Sequence, residues 1–371
     1  MNLIASWSRT EAKSIFLTKG ICLKPSWLGC GIVLLFLLVL RNNAMAGALE
    51  AERQKPQRSR LSAEQVAVVV NDADSNSAEV GQYYVQTRKI PAQNLIHVNI
   101  PGSPHKLSQY QFAAIKHQID AQLSPDIQAI VLVWTAPYAV DCNSITSALT
   151  LGFDAAQCRQ TCSPGKPSPY FNSASRQPYT NFGMRISMLL PTESVERAKA
   201  LIDRGVLSEF RVIPASAYFL ITTDTARNTR AQFFPKPGHI AEKQFSIKTM
   251  QANTLEDVQD IMVYQIGLPI VTNLTTLSFL PGALADHLTS FGGDLLGNNQ
   301  MSSLRWLEAG ATASYGTVSE PCSFWQKFPN SQVLLKNYLS GATAIEAYWK
   351  SVAWPAQGLF IGEPLASPYR R

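Results

Sequence analysis

Residues 282–294, Gly-Ala-Leu-Ala-Asp-His-Leu-Thr-Ser-Phe-Gly-Gly-Asp, gather a histidine, a serine three positions later, two adjacent glycines and two acids. A neutral imidazole at His287 would take the proton of a hydroxyl nucleophile at Ser290. A carboxylate at Glu320 would hold that imidazole in its working tautomer. The amides of Gly292 and Gly293 would donate to a developing oxyanion. Each residue also has a plainer reading. A buried histidine often bonds a nearby polar group, a turn serine bonds its own backbone, and a carboxylate at a strand end pairs with an arginine. Asp286 and Asp294 read as solvated caps.

The site chemistry requires two strand ends to meet. A strand is expected over 268–274, Ala283 to His287 follow a strand and a Pro281-Gly282 break, and a helix carrying Met301, Leu304 and Leu307 ends at Gly310. A small-residue strand, Ala311 to Val318, then runs into Ser319-Glu320-Pro321-Cys322. A crossover of this kind places neighbouring strand ends on one edge, where His287, Ser290 and Glu320 would converge.

The rest of the chain alternates in the same way. Val66-Ala-Val-Val-Val70 is a continuous apolar run suited to a strand buried on both faces. Asn76 and Glu79 have capping-box spacing ahead of a helix with Val80, Tyr83 and Tyr84 on one face. Strands are expected at 95–100, 127–134, 183–190 and 217–223. Helices are expected from 108, at 143–151, at 193–204, and from Thr254 through Val258, Ile261 and Met262. Strand–helix alternation predicts an α/β fold: a mostly parallel sheet with helices on both faces. Loops after its strands carry Asp72, Asp74 and Asp224, a set able to take a hard cation. Neither GxGxxG nor GxxxxGK[ST] occurs, and the first loop is acidic, so no nucleotide or other cofactor is called.

Residues 27–40 form an apolar run after Arg9, Lys13, Lys19 and Lys24, and Ala44-Met45-Ala46 follows. This reads as a secretory leader over 1–46, with an uncleaved anchor as the alternative and the only membrane contact expected. Residues 47–60 read as a tether, and 61–371 as one α/β domain with a long Pro/Ser-rich surface loop at 163–180. Without the leader, 27 Lys and Arg face 25 Asp and Glu, so the excess falls from +6 to +2. No basic run interleaved with aromatics points to nucleic acid, and no partner is otherwise indicated. Cys142, Cys158, Cys162 and Cys322 are an even set in an exported chain, which predicts disulfides. Their gaps match no common zinc pattern. Three pairings are open, and a free, nucleophilic Cys322 is the rival.

The segments "GALADHLTSFGG", "LEAGATASYGTVSEPC", "GATAIEAYW" and "GLFIGEPLASPY" resemble an uncharacterised family of exported bacterial proteins. Its pattern Gly-Ala-x-Ala-x-His-x-x-Ser, Glu-Pro and Gly-Asp-Pro-Leu is carried by His287, Ser290, Glu320, Pro321 and Gly362-Glu363-Pro364-Leu365. The stretch from Val68 to Leu95 is similar to that family's start. More distantly the layout resembles gingipain-like cysteine peptidases, which implies a caspase-like three-layer sandwich. The chain departs from that group. It has no cysteine between 283 and 293, none of its five histidines precedes a glycine, and Glu363 stands where aspartate is usual. Two functional readings follow: an exported hydrolase with His287 as base, or a catalytically inactive periplasmic or cell-surface binding or accessory protein of the same fold.

Overall fold

The computed structural model describes residues 61–209 and 213–370. The leader and the tether lie outside the described residues. The elements are, in order, β1 (Val66–Asn71), α1 (Ser75–Arg88), β2 (Leu95–Val98), β3 (Lys106–Leu107), α2 (Gln109–Asp120), β4 (Ala129–Val133), β5 (Ala139–Val140), β6 (Asn143–Ser144), α3 (Ile145–Leu151), α4 (Ala155–Arg159), α5 (Pro178–Phe182), β7 (Ile186–Leu190) and α6 (Val195–Leu207). There follow β8 (Ala215–Ile221), β9 (Gly238–Ile240), β10 (Phe245–Gln251), β11 (Ile261–Ile266), β12 (Phe279–His287), α7 (Leu304–Glu308), β13 (Ala313–Thr317), α8 (Ser331–Leu339), α9 (Ala344–Ser351) and β14 (Gly358–Gly362).

One 11-stranded sheet runs β2-β1-β4-β7-β14-β13-β12-β11-β8-β10-β9, and β3, β5 and β6 form a small second sheet. Within β2-β1-β4-β7 and within β13-β12-β11-β8-β10 neighbours pair in parallel. The last strand, β14, inserts between the two blocks antiparallel to β13, and β9 closes one edge antiparallel to β10.

Both faces of the sheet carry helices. A Cβ on Gly81 of α1 would lie 2.1 Å from Cγ1 of Val70, so α1 rests on the Val68/Val70 side of β1. Ser187, in register with Ile130 and hence with Ala67 on the other side, donates to the Thr146 carbonyl of α3 at 2.7 Å. Farther along, Tyr264 of β11 meets Trp306 of α7 edge-on at 5.2 Å. Its neighbour Gln265 accepts from Ser331 of α8. Adjacent residues of a strand point to opposite faces, so α1 and α3 flank the sheet, as do α7 and α8.

Several expected elements differ. The helix expected from Thr254 through Met262 is absent: residues 254–260 are irregular and β11 begins at Ile261, because Ile261-Met-Val-Tyr-Gln-Ile266 is buried throughout between two helical layers. A short apolar run does not announce its own period. The strand expected over 268–274 is absent, and the Ala283–His287 stretch read as following a strand is the end of β12. The capping box at Asn76 and Glu79 is not formed; Asp74 is the N-cap of α1, accepting from the Asn76 amide at 3.0 Å. The 163–180 segment is pinned rather than free. Ser168 and Asn172 donate backbone N–H groups to Ala353 and Lys350, and the Tyr170 ring is fully buried.

Candidate functional site

The expected meeting of strand ends is present: β12 and β13 are parallel neighbours, with Leu284 opposite Ala313. The turn after β12 owes its shape to its glycines. A Cβ on Gly293 would stand 2.5 Å from the Gly316 carbonyl, and one on Gly316 would stand 2.3 Å from the Gly292 carbonyl carbon. The amide of Gly293 donates to the Thr317 carbonyl at 2.9 Å. The glycine pair therefore lets two backbones touch, and the Gly293 N–H expected for an oxyanion is already spent.

His287 is the last residue of β12 and is fully buried. The Trp306 indole N–H donates to its Nδ1 at 2.9 Å. Because an indole nitrogen only donates, Nδ1 is the acceptor and Nε2 carries the proton, which goes to the Met301 carbonyl at 3.0 Å. Burial drives the imidazole pKa down to about 3; the Met301 carbonyl pulls it up, and the charges of Arg230 and Arg227 lower it further. A ring held this way is neutral, fixed in one tautomer, and has no lone pair free for a proton from Ser290.

Ser290 lies just beyond the strand, partly exposed, with its carbonyl accepting from Thr317 Oγ1 at 2.9 Å. Its hydroxyl is not bonded to the His287 ring, whose two nitrogens are both taken. Glu320 folds back on its own turn and accepts from the Cys322 amide at 2.7 Å. The structure thus brings the three residues to neighbouring strand ends without joining them by hydrogen bonds.

The other candidates have partners of their own. Asp286 is not a solvated cap. It sits 1% exposed on the opposite face of β12 from His287, paired with an equally buried Arg230. Gln265 Nε2 donates to Asp286 Oδ2 at 2.9 Å, and Arg230 also donates to the carbonyls of Ile266 and Asp286. Asp294 accepts from the Tyr138 hydroxyl at 2.6 Å, tying the loop after β4 to the turn after β12. Asp72 pairs with His97 at 2.7 Å, and Asp224 with Arg227 at 2.7 Å. Among the described residues no group of three or more His, Cys, Asp or Glu is placed to hold a metal ion. Cys322 is bonded to Cys162, and Cys142 to Cys158, which removes the free-thiol reading.

The same rim is stitched from several sides. Ser319 Oγ donates to the Cys142 carbonyl at 2.7 Å, Gln357 Nε2 donates to the Glu320 carbonyl at 2.9 Å, and Lys327 Nζ donates to the Thr161 carbonyl at 2.6 Å. Burial lowers the Lys327 pKa to about 8 against the pull of Glu320. The sequence reading missed a second buried ion pair as well. Glu363, at the Gly-Asp-Pro-Leu-like motif, accepts from Arg88 Nε and from the Tyr84 hydroxyl at 2.9 Å each. The available signal was a charged residue inside an otherwise apolar stretch, which folds only if paired.

These features define an α/β protein on a large, mostly parallel sheet, with two disulfides outside it. No protein-family model matches the chain, and no curated protein matches it in sequence. Among solved structures it is similar to the complex of Porphyromonas gingivalis RgpB pro- and mature domains. The identity is 10%, the TM-score is 0.39, and the match covers 82% of this chain and 79% of that one.

Proposed function

We propose that this is an exported binding or accessory protein, periplasmic or on the cell surface, that carries out no hydrolysis at His287. The observation behind this reading is the state of that imidazole, which is buried with one nitrogen accepting from Trp306 and the other donating to Met301. A general base needs a free lone pair within reach of the proton it removes. Export is supported by the two cysteine pairs, since such bonds persist in oxidising compartments. No helix among the described residues is long and apolar enough to cross a membrane.

A serine-reactive fluorophosphonate probe tests the reading. The folded protein is expected to stay unlabelled at concentrations that label a serine hydrolase within minutes. Labelling that disappears in both Ser290→Ala and His287→Ala would replace it with the hydrolase.

A further inference from the structure

A hollow of about 220 Å³ lies between the loop at 172–176, the end of α8 and the flank of α9. Three cations line it: Arg176, Lys336 and Lys350. The carboxylate on its wall, Glu346, is engaged as the capping partner of Thr343, accepting from the Thr343 amide at 2.9 Å and its hydroxyl at 2.8 Å. Lys336 and Lys350 alone outnumber that carboxylate, and Ser173 and Ser340 add hydroxyls.

Lys350 is the unusual member. It is 4% exposed, yet among the described residues its ammonium forms no ion pair and donates no hydrogen bond to the protein. On the protein side it lies over the Tyr170 ring, with Nζ 5.1 Å from the centroid, and burial lowers its pKa against the charge of Glu346. The side chain is buried while it lines the hollow, so its three N–H donors, with no protein acceptor, are left for whatever occupies that hollow. The main-chain geometry holds it there: Asn172 N–H donates to the Lys350 carbonyl at 2.8 Å, fixing the loop against α9.

We propose that this hollow is a binding site for an oxyanion group, a phosphate or carboxylate on a small molecule, with Lys350 as the buried anchor and Lys336 at the mouth. A planar or tetrahedral oxyanion supplies the acceptors that the Lys350 ammonium lacks and cancels the excess charge. Water alone would supply acceptors but not charge. The site gives the binding-protein reading a ligand class without depending on it, since the hollow is separate from His287 and is equally compatible with a hydrolase. Failure here leaves the fluorophosphonate result untouched, and the reverse also holds.

The test is calorimetric titration of the purified protein with inorganic phosphate and, separately, succinate, at constant ionic strength. Saturable one-site binding of either is expected. Lys350→Met should weaken it at least about tenfold, and Lys336→Gln by about threefold, while Lys116→Gln, on a distant exposed helix face, should leave it unchanged. Lys336 is exposed, so its variant remains informative if Lys350→Met does not fold. Absence of saturable binding of both probes up to about 20 mM would overturn the proposal. So would wild-type affinity in Lys336→Gln together with either wild-type affinity or misfolding of Lys350→Met.

Discussion

At the scale of single residues, His287 and Asp286 show what two neighbours on one strand do when their faces differ. His287 is kept neutral with a pKa near 3, against 6.5 for the free side chain. The unfolded chain therefore binds a proton at this residue between about pH 6.5 and 3 while the native chain does not. Stability from this group is complete above pH 6.5 and is lost as pH falls, at a slope approaching 1.4 kcal/mol per pH unit. Urea unfolding of wild type and His287→Ala across that window should show the slope in wild type and its loss in the variant; parallel profiles would contradict this account. On the other face, removing one partner of the buried Arg230–Asp286 pair leaves an uncompensated charge. Arg230→Met is expected to cost about 3–5 kcal/mol. Arg230→Met combined with Asp286→Asn should recover part of it, and additive losses in denaturant melts would show that the two groups act separately.

At the scale of elements, what could be read in advance depended on whether a segment declares its period. β1, β4, β7 and β8 are short, mostly apolar runs between polar breaks, and all four strands stand near their expected places. β11 misled because Val258, Ile261 and Met262 have helical spacing, while the burial that decides the matter comes from two helical layers distant in sequence. The insertion of β14 between β7 and β13 was illegible for a similar reason: pairing across the chain leaves no mark in local pattern. At the candidate site, the convergence of strand ends was legible, but the fate of the imidazole was not. Nothing in the spacing says that Trp306 reaches it. The Gly292-Gly293 turn makes a prediction at this scale. Gly293→Ala places a methyl against the Gly316 carbonyl and should cost at least about 1–3 kcal/mol. A thermal melt unchanged from wild type would mean that the two backbones are not in close contact.

At the scale of the whole molecule, one of the two disulfides joins segments far apart in the chain. Cys162–Cys322 spans 160 residues, and closing so long a loop removes much freedom from the unfolded chain, on the order of 3–5 kcal/mol of stability. Denatured, unreduced protein should titrate no thiol among Cys142, Cys158, Cys162 and Cys322, and Cys162→Ser with Cys322→Ser should lower the denaturant midpoint substantially. A free thiol at Cys322 would break this picture. The rim that an α/β sheet usually leaves open for a ligand is here tied down by Tyr138–Asp294, by Ser319 on the Cys142 carbonyl and by Lys327 on the Thr161 carbonyl. Lys350, a buried lysine for which no acceptor is found among the described residues, lies elsewhere. The whole reading turns on His287 being a structural residue, and ¹⁵N NMR of its imidazole tests that most directly. The expected result is a single neutral Nε2–H tautomer, with shifts constant from pH 8 to pH 5. Titration with a midpoint near 6.5, or a mixture of tautomers, would contradict it.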